Sequence, residues 1–487
     1  MQTTKHEAFD QFLRTLDYGD DTTFKFLIHD LKPFVVEKIL RIIPKKRLVV
    51  RGHWQNQTCI AKIFFDPHHA KEHLEKDASG IKTLIKNDIL TPKLIYSGNC
   101  ESSNIYVSIL QNVSHASNLH DLFLAGSIDR INPIFPSLMI ELATQHVLGI
   151  SQQDLHLKNF LITSEDDADR TYKIYTLDGG QIQKQDEKLN KSESMENIAL
   201  FLSQLGIENE RSQKNLFSVY AKARGWSIRR EDEIQLFSLI KKWYQLRCKQ
   251  YQKKIVRASS DFMITKNWRT FSVYQREFRG PLFGNFLENP DQIFNFPSTV
   301  YLKKGRSSTV IKACLDGKWV VIKRYNLKHF RHFVRRMFRR TRAYHAWMLA
   351  QKLTLLGVKT AKPIAMIEKK WGCFRHISYY VSEYVEGQNA LTYFKNEGEQ
   401  DTIMIEKIAS IMKNLLKLNI THGDLKLTNI LIDAKKSPIL IDLDGAIEHA
   451  SFRSLHSAFH QDKKRLLQNF AENTAIYQAF YRAFNYS

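Results

Sequence analysis

Two passages of this chain carry the same succession of apolar runs and polar interruptions. Each begins with a short apolar run enclosing a lysine, CIAKIFF with Lys62 and WVVIKRY with Lys323, whose length and β-branched content predict strands. Further on, ELATQHVLGIS and IASIMKNLLKLNIT read as helices ending in a turn. A polar loop then runs into a new apolar strand: QQDLHLKNFLI at 152–162 and HGDLKLTNILI at 422–432. Both loops place Asp, Leu, a basic or imidazole residue, and Asn five positions after the Asp, giving Asp154 with Asn159 and Asp424 with Asn429. A second apolar strand follows and ends in an acid, Asp178 in IYTLDGG and Asp442 in ILIDLDG. Four landmarks repeated in one order predict a duplicated domain.

Between the copies, MENIALFLSQL, NLFSVYAKA and EIQLFSLIKKWYQLRCKQYQKKI have helical periodicity and would complete the first domain. DFMITKNWRTFSVYQRE predicts a hairpin turning at Asn267 and Trp268 and opening the second, and PDQIFNFP predicts a connecting loop. The expected domains are 1–257 and 258–487. In LKHFRHFVRRMFRRTRAYHAWM, Phe330, Phe333, Val334, Met337, Thr341 and Tyr344 recur at three-to-four spacing, with Arg331, Arg335, Arg339 and Arg342 on another face. That pattern predicts an amphipathic helix with a basic side.

Composition changes the picture in two respects. With 487 residues, 43% hydrophobic and 25% charged, the chain reads as globular, with more than one core. No apolar run approaches the roughly 18–20 residues that cross a bilayer, and MQTTKHEAFDQF lacks a signal-peptide core, so a cytoplasmic location is expected. Cys59, Cys100, Cys248, Cys314 and Cys373 form no CxxC pair, which argues against a disulfide framework and a zinc site. The charge is the second respect: 72 Lys+Arg against 50 Asp+Glu gives +22, and from Gly317 to Ile367 thirteen Lys or Arg occur without one Asp or Glu. A solvated face usually mixes signs, so this stretch points to an anionic partner such as a phosphorylated glycolipid or an anionic leaflet, with nucleic acid less favoured.

A single D-x4-N is as well explained by an Asx-capped turn. Two copies in matched context resemble the protein-kinase-like superfamily, implying two tandem α+β domains, each a small β-rich lobe followed by a mostly helical one. The resemblance implies ATP and magnesium, with Asn429 and Asp442 as metal ligands brought to one end of a hairpin, and Asp424 as base. Lys426 would neutralise charge on the transferred group and Lys323 would pair with the inner phosphates. Gly305, Ser307 and Ser308 in KKGRSSTVIKA would let backbone approach them. Glu383 and Tyr384, in SEYVEG, would be either the adenine-binding hinge or an ordinary strand end. The counterparts in the first copy are Lys62, Asp154, Asn159 and Asp178.

Within that superfamily the chain is most similar to the lipopolysaccharide core sugar kinases, which include the WaaP heptose kinase, the Kdo kinases and InaA-like proteins. KGRSSTVIKA, VVIKRYN, LGVKTAKPIA, HGDLKLTNIL and LIDLDG carry the similarity over most of 300–448, and ILTPKLI, QQDLHLKNFLI and YTLDGG carry a more distant one over 50–182. It implies phosphorylation of a hydroxyl on an inner-core sugar of lipopolysaccharide at the cytoplasmic face of the inner membrane. A protein or other small-molecule kinase, and a basic pseudokinase that only binds, are the alternatives. No APE segment follows Asp442, which favours a small acceptor. The pattern is departed from in three places. The acid-free stretch denies Lys323 a glutamate on the next helix, so it works untethered or borrows an acid from elsewhere. Gly423 replaces the arginine that reads a phosphorylated activation loop. In the first copy RLVVRGHWQNQTCIAK sets Gly52 and bulky Trp54 where a phosphate loop is expected, leaving that copy either impaired or a second active kinase.

Overall fold

The structure is a computed structural model describing residues 3–28, 33–100, 104–125, 133–166, 171–326, 339–372, 374–396 and 401–485. Helices and antiparallel sheets are both abundant, and the chain divides into two compact units. Met1–Leu205 with Asn209–Trp243 form one, and Gly206–Glu208 with Tyr244–Ser487 form the other. The division between these ranges falls at Trp243/Tyr244, within the helix Arg230–Lys254.

The first unit is built on a six-stranded antiparallel sheet in the spatial order Phe24–Phe26, Phe34–Ile43, Arg47–Trp54, Gln57–Phe64, Tyr106–Gln111, Leu94–Asn99. Leu48, Val50, Ala61, Ile63, Val107 and Ile109 alternate onto one face and make its core. Gly52 and Trp54 do not form a phosphate loop. Both lie in the strand Arg47–Trp54, Gly52 opposite Cys59, with Trp54 buried and the Gln55–Asn56 turn beyond it. Those two turn residues have φ of 50° and 64°, the left-handed pair that a two-residue hairpin requires. The bend that precedes this strand is instead Pro44–Lys45–Lys46, with no glycine.

The second unit has a seven-stranded sheet ordered Phe262–Lys266, Thr270–Gln275, Pro363–Trp371, Phe374–Glu383, Lys318–Tyr325, Ser308–Leu315, Val300–Lys304. The hairpin expected at 262–275 forms, with Asn267 Oδ1 accepting from the amides of Arg269 and Thr270. Asp316 and Gly317 turn the hairpin that carries Lys323, and the Asp316 carboxylate also accepts the Leu282 and Phe283 amides at the start of the helix Pro281–Glu288. That helix buries Phe283 and Phe286 on one sheet face, and the fully buried Trp347 packs with Phe262, Val273 and Met366 in a separate cluster. PDQIFNFP is more than a loop: Gln292–Asn295 is a short 3-10 turn that buries Ile293 and Phe294.

The basic amphipathic segment is only partly described. Residues 327–338, with Phe330, Arg331, Phe333, Val334, Arg335 and Met337, lie outside the described residues. The helix that follows begins at Arg342, because Thr341 is its extended N-cap, accepting from the Tyr344 amide and pinned through its own N–H and hydroxyl to buried Glu368. No helix of the described residues is long and apolar enough to cross a membrane.

Candidate active site

In the second unit the site forms where the sheet meets the helical part. The helix Thr402–Lys417 ends at Leu418, Asn419 reverses the chain at φ 58°, and Ile420–Thr421 pairs with Ile447–Glu448. The loop 422–426 follows, then the 3-10 turn Leu427–Asn429 and the hairpin of Ile430–Asp433 with Pro438–Leu440. The Ile441 amide donates to the Asn429 carbonyl at 3.0 Å, so Asp442 emerges beside Asn429. Asp442 has φ 63°, a left-handed backbone that costs a non-glycine residue stability and is held here by its surroundings.

Lys323, Asp424, Lys426, Asn429 and Asp442 all line one cavity of about 580 Å³. Val310, Val321 and Leu431 contribute apolar wall, and Glu383, Tyr384 and Val385 line it as well. Gly305, Ser307 and Ser308 are not among its lining; they form the bend between Lys303 and Val310, which are. That bend is fastened by its backbone: the Gly305 amide donates to Ser308, and the Ser307 carbonyl accepts from the Asn326 amide and, at 2.6 Å, from Arg342.

The acid that Lys323 lacks on the next helix comes from the Asp442 segment. Its ammonium donates to Asp442 and, at 2.6 Å, to Asp444, while Arg342 reaches Asp444 at 3.7 Å. The helix thus supplies a cation, and the two carboxylates sit between cations from two directions. Burial raises Asp442, but the Asp444 carboxyl beside it and the Lys323 ammonium overcome that and hold Asp442 well below the usual carboxylate range. Asp444 is raised by burial and by Asp442, against Lys323. A low-lying Asp442 stays ionised, as a cation ligand must.

The loop itself is held from below. Asp462, buried in the helix Phe452–Leu467, accepts the amides of His422 at 2.7 Å, Gly423 at 3.1 Å and Leu425 at 3.4 Å. Arg465, one turn on, donates to the Gly423 carbonyl and lies 3.7 Å from Asp462. Gly423 has φ 77°, and a Cβ there would come within 2.2 Å of the Gly445 carbonyl, which is why no arginine stands at this place. His422 is lowered by burial and contacts the Ile441 carbonyl through Nε2, which fixes the neutral Nε2–H tautomer. Asn429 donates Nδ2 to the Asp424 carbonyl at 2.9 Å, which leaves Oδ1 as the atom a cation would use, and Lys426 sits 3.0 Å from the Asp424 carboxylate.

The first unit repeats the local geometry with different fastenings. Asn159 donates to the Asp154 carbonyl at 2.8 Å, the Leu177 amide to the Asn159 carbonyl at 2.8 Å, and Asp178 has φ 60°. Lys62, however, pairs at 2.5 Å with Asp77 of the helix Ala70–Lys86, chosen from the acids Glu72, Glu75 and Asp77 on that helix, and Ser108 also donates to Asp77. Its loop rests on neutral groups: Gln204 bridges the Leu155 carbonyl and Leu157 amide, and Asn197 donates to Gln152. Asn197 in turn meets buried His146, which burial pushes down to about 4, with Asn197 opposing and Arg224 assisting. Gly80 of the helix and Gly179 are in direct backbone contact; a Cβ on Gly80 would lie 1.9 Å from the Gly179 carbonyl.

Three residues of the second site escaped the sequence reading. Asp444 is signalled in LIDLDG by being a second acid two positions on; Arg342 shows in the sequence only as part of a basic face. Asp462 had no local signal, since its role exists only once its helix packs under the loop.

A cleft between an antiparallel sheet and a helical part, with a lysine, two acids and an amide converging on it, defines an α+β protein with a polar, charge-matched site. Residues 301–485 match the model of the lipopolysaccharide kinase (Kdo/WaaP) family, which bears out the resemblance carried by HGDLKLTNIL and LIDLDG. A 3-deoxy-D-manno-octulosonic acid kinase of Vibrio vulnificus strain YJ016 is 26% identical over 119 residues, 24% of this chain and 50% of its own length. One of Vibrio cholerae serotype O1 is 30% identical over 105 residues, 22% of this chain and 44% of its own. The chain spans about half the length of the curated relatives it matches.

Proposed function

We propose that the protein is an ATP-dependent kinase that phosphorylates a sugar hydroxyl of the lipopolysaccharide inner core, working at the cytoplasmic face of the inner membrane. The observation that carries this reading is the convergence of Lys323, Asp424, Asn429 and Asp442 on one cavity with an apolar wall on its sheet side. In this reading the two units are tandem protein-kinase-like domains and the second is the catalytic one. The Glu383–Tyr384 backbone meets the adenine, Lys323 the inner phosphates, and the Gly305–Ser308 bend covers them.

Asn429 Oδ1 and the ionised Asp442 suit magnesium, a hard ion that usually keeps several waters and phosphate oxygens and so needs few protein ligands. Among the described residues no group of three or more His, Cys, Asp or Glu is gathered that could hold a metal alone. When bound, the ion would neutralise phosphate charge. Asp424 receives the proton of the acceptor hydroxyl as that oxygen bonds to the terminal phosphorus and the bond to the bridging oxygen breaks, releasing ADP. Lys426 neutralises charge on the transferred group, and positioning supplies most of the rate.

For the first unit, Lys62, Asp154, Asn159 and Asp178 keep the pattern. The Pro44–Lys46 bend, without a glycine where the second unit has Gly305, supports an impaired or differently specific domain. Incubation with labelled ATP and either core glycolipid or generic protein acceptors tests the reading; label on protein alone would replace the sugar acceptor. Mass spectrometry of core glycolipid from cells carrying Asp424→Asn should show the mass of one phosphate missing, and an unchanged glycolipid would sink the assignment.

A further inference from the structure

Away from this cleft, the second unit has another cavity, of about 960 Å³, that the reading above does not use. Its walls come from the hairpin 262–275, from the end of the hairpin that pairs Trp371 with Phe374, and from the start of the helix Arg342–Leu355. Five cations line it: Arg257, Lys266, Arg340, Lys370 and Arg375. The one carboxylate among its lining residues, Glu368, is 2% exposed and already engaged, accepting from Thr341 and lying 3.5 Å from Arg375. Arg340 rests on the Tyr344 ring at 4.3 Å, and Arg257, Lys266 and Lys370 make no ion pair among the described residues. The cavity therefore presents an excess of positive charge to whatever enters it.

Its rim is the opposite in character. Trp268 and Trp371 stand at adjacent hairpin ends, 71% and 75% exposed, with Phe374 beside them. The two ends are joined by the Gly372 amide donating to the Trp268 carbonyl at 3.2 Å, and the Trp268 indole lies over Gly372, a residue of the cavity wall. Two tryptophans this exposed give up apolar burial that the fold does not recover. Indoles at the level of lipid headgroups, next to cations that meet the phosphates, are the combination an interfacial protein uses.

We propose that this face docks on an anionic lipid bilayer, with Trp268 and Trp371 entering the headgroup layer and a headgroup phosphate seated among Lys266, Lys370, Arg257 and Arg340. Negative charge on the leaflet complements the cavity, and the bilayer interface gives the indoles an apolar environment that a soluble phosphate would not.

The test is cosedimentation of the full chain with phosphatidylcholine vesicles, with and without phosphatidylglycerol, for the unaltered protein, Trp268→Ala/Trp371→Ala and Lys266→Glu/Lys370→Glu. All four side chains reach solvent, and unchanged melting temperatures would confirm that each variant folds. The expected result is binding that requires phosphatidylglycerol and weakens at least about 25-fold in the lysine pair, at roughly five-fold per cation lost. The tryptophan pair should bind at least about ten-fold more weakly and lose the quenching of tryptophan fluorescence by brominated lipid. Equal binding to neutral vesicles would overturn the proposal, as would wild-type binding by both variants, which would assign attachment to another basic surface. Release from vesicles by millimolar inorganic phosphate would make this a soluble-anion site, and release by single-stranded RNA at sub-stoichiometric lipid would make it a nucleic-acid surface; either result also refutes membrane docking.

Discussion

Asp462→Asn isolates what holds the 422–426 loop in place. The carboxylate is 2% exposed and receives the backbone amides of His422, Gly423 and Leu425. An asparagine fits the same space but has a single acceptor oxygen and turns an NH2 group toward amides that are themselves donors. With that oxygen where Oδ2 stands, the His422 and Gly423 amides keep an acceptor, now uncharged, while the Leu425 amide faces the NH2 group and its contact is lost or becomes repulsive. A hydrogen bond to a charged acceptor contributes about 1.5–3 kcal/mol against about 0.5–1.5 kcal/mol for a neutral one, so one bond lost and two weakened amount to roughly 3–6 kcal/mol. Against a typical total of about 5–15 kcal/mol, the variant should fold but be visibly weakened. Urea unfolding should show the lower midpoint, and hydrogen exchange should show 422–425 losing protection. Because Lys323 and Glu383 stand on paired sheet strands and not on this loop, kcat should fall roughly 100-fold, the scale of a misplaced reacting group, with KM for ATP changed less than about three-fold. A variant within about 0.5 kcal/mol of wild type and at full kcat would show that Asp462 does not position the loop.

His146 is held near 4 against its ordinary 6.5, so between those values the unfolded chain carries a proton that the folded chain refuses. Stability of the first unit should therefore be flat above about pH 6.5 and fall by about 3 kcal/mol toward pH 4; calorimetry should find that slope removed in His146→Gln. Gly80→Ala should destabilise by about 1–3 kcal/mol through its collision with Gly179, whereas Gly284→Ala, with nothing within 4 Å, should not, and equal melting temperatures would refute the packing argument. Asp442→Ala should abolish the magnesium-dependent thermal stabilisation by ATP, while a persisting shift would move the metal elsewhere.

What the sequence disclosed was whatever is encoded locally. Asp424 and Asn429 are five positions apart on one loop, and a short hairpin returns the chain to Asp442, so their meeting needs little beyond strand pairing. Lys323 could be placed because its strand was recognisable and its counterpart Lys62 stood in the same context. Partners chosen by packing were hidden: Asp462 meets the loop from some forty positions away, and the acid serving Lys323 comes from across the cleft and not from the adjoining helix. Trp54 misled for a related reason. A bulky residue beside glycine looked like a blocked loop, yet it is the inward-facing end of a strand, and which face a strand turns inward is decided by the sheet around it.

The Lys323 ammonium is in contact with both Asp442 and Asp444. At rest this ammonium already has two negative neighbours, so an arriving polyphosphate does not have to strip water from a bare cation; it trades places with anions that are present. Occupancy of the cleft then becomes a competition between internal and external negative charge, and Asp444→Asn, which handicaps the internal competitor, should make the protein bind nucleotide more tightly even if turnover suffers.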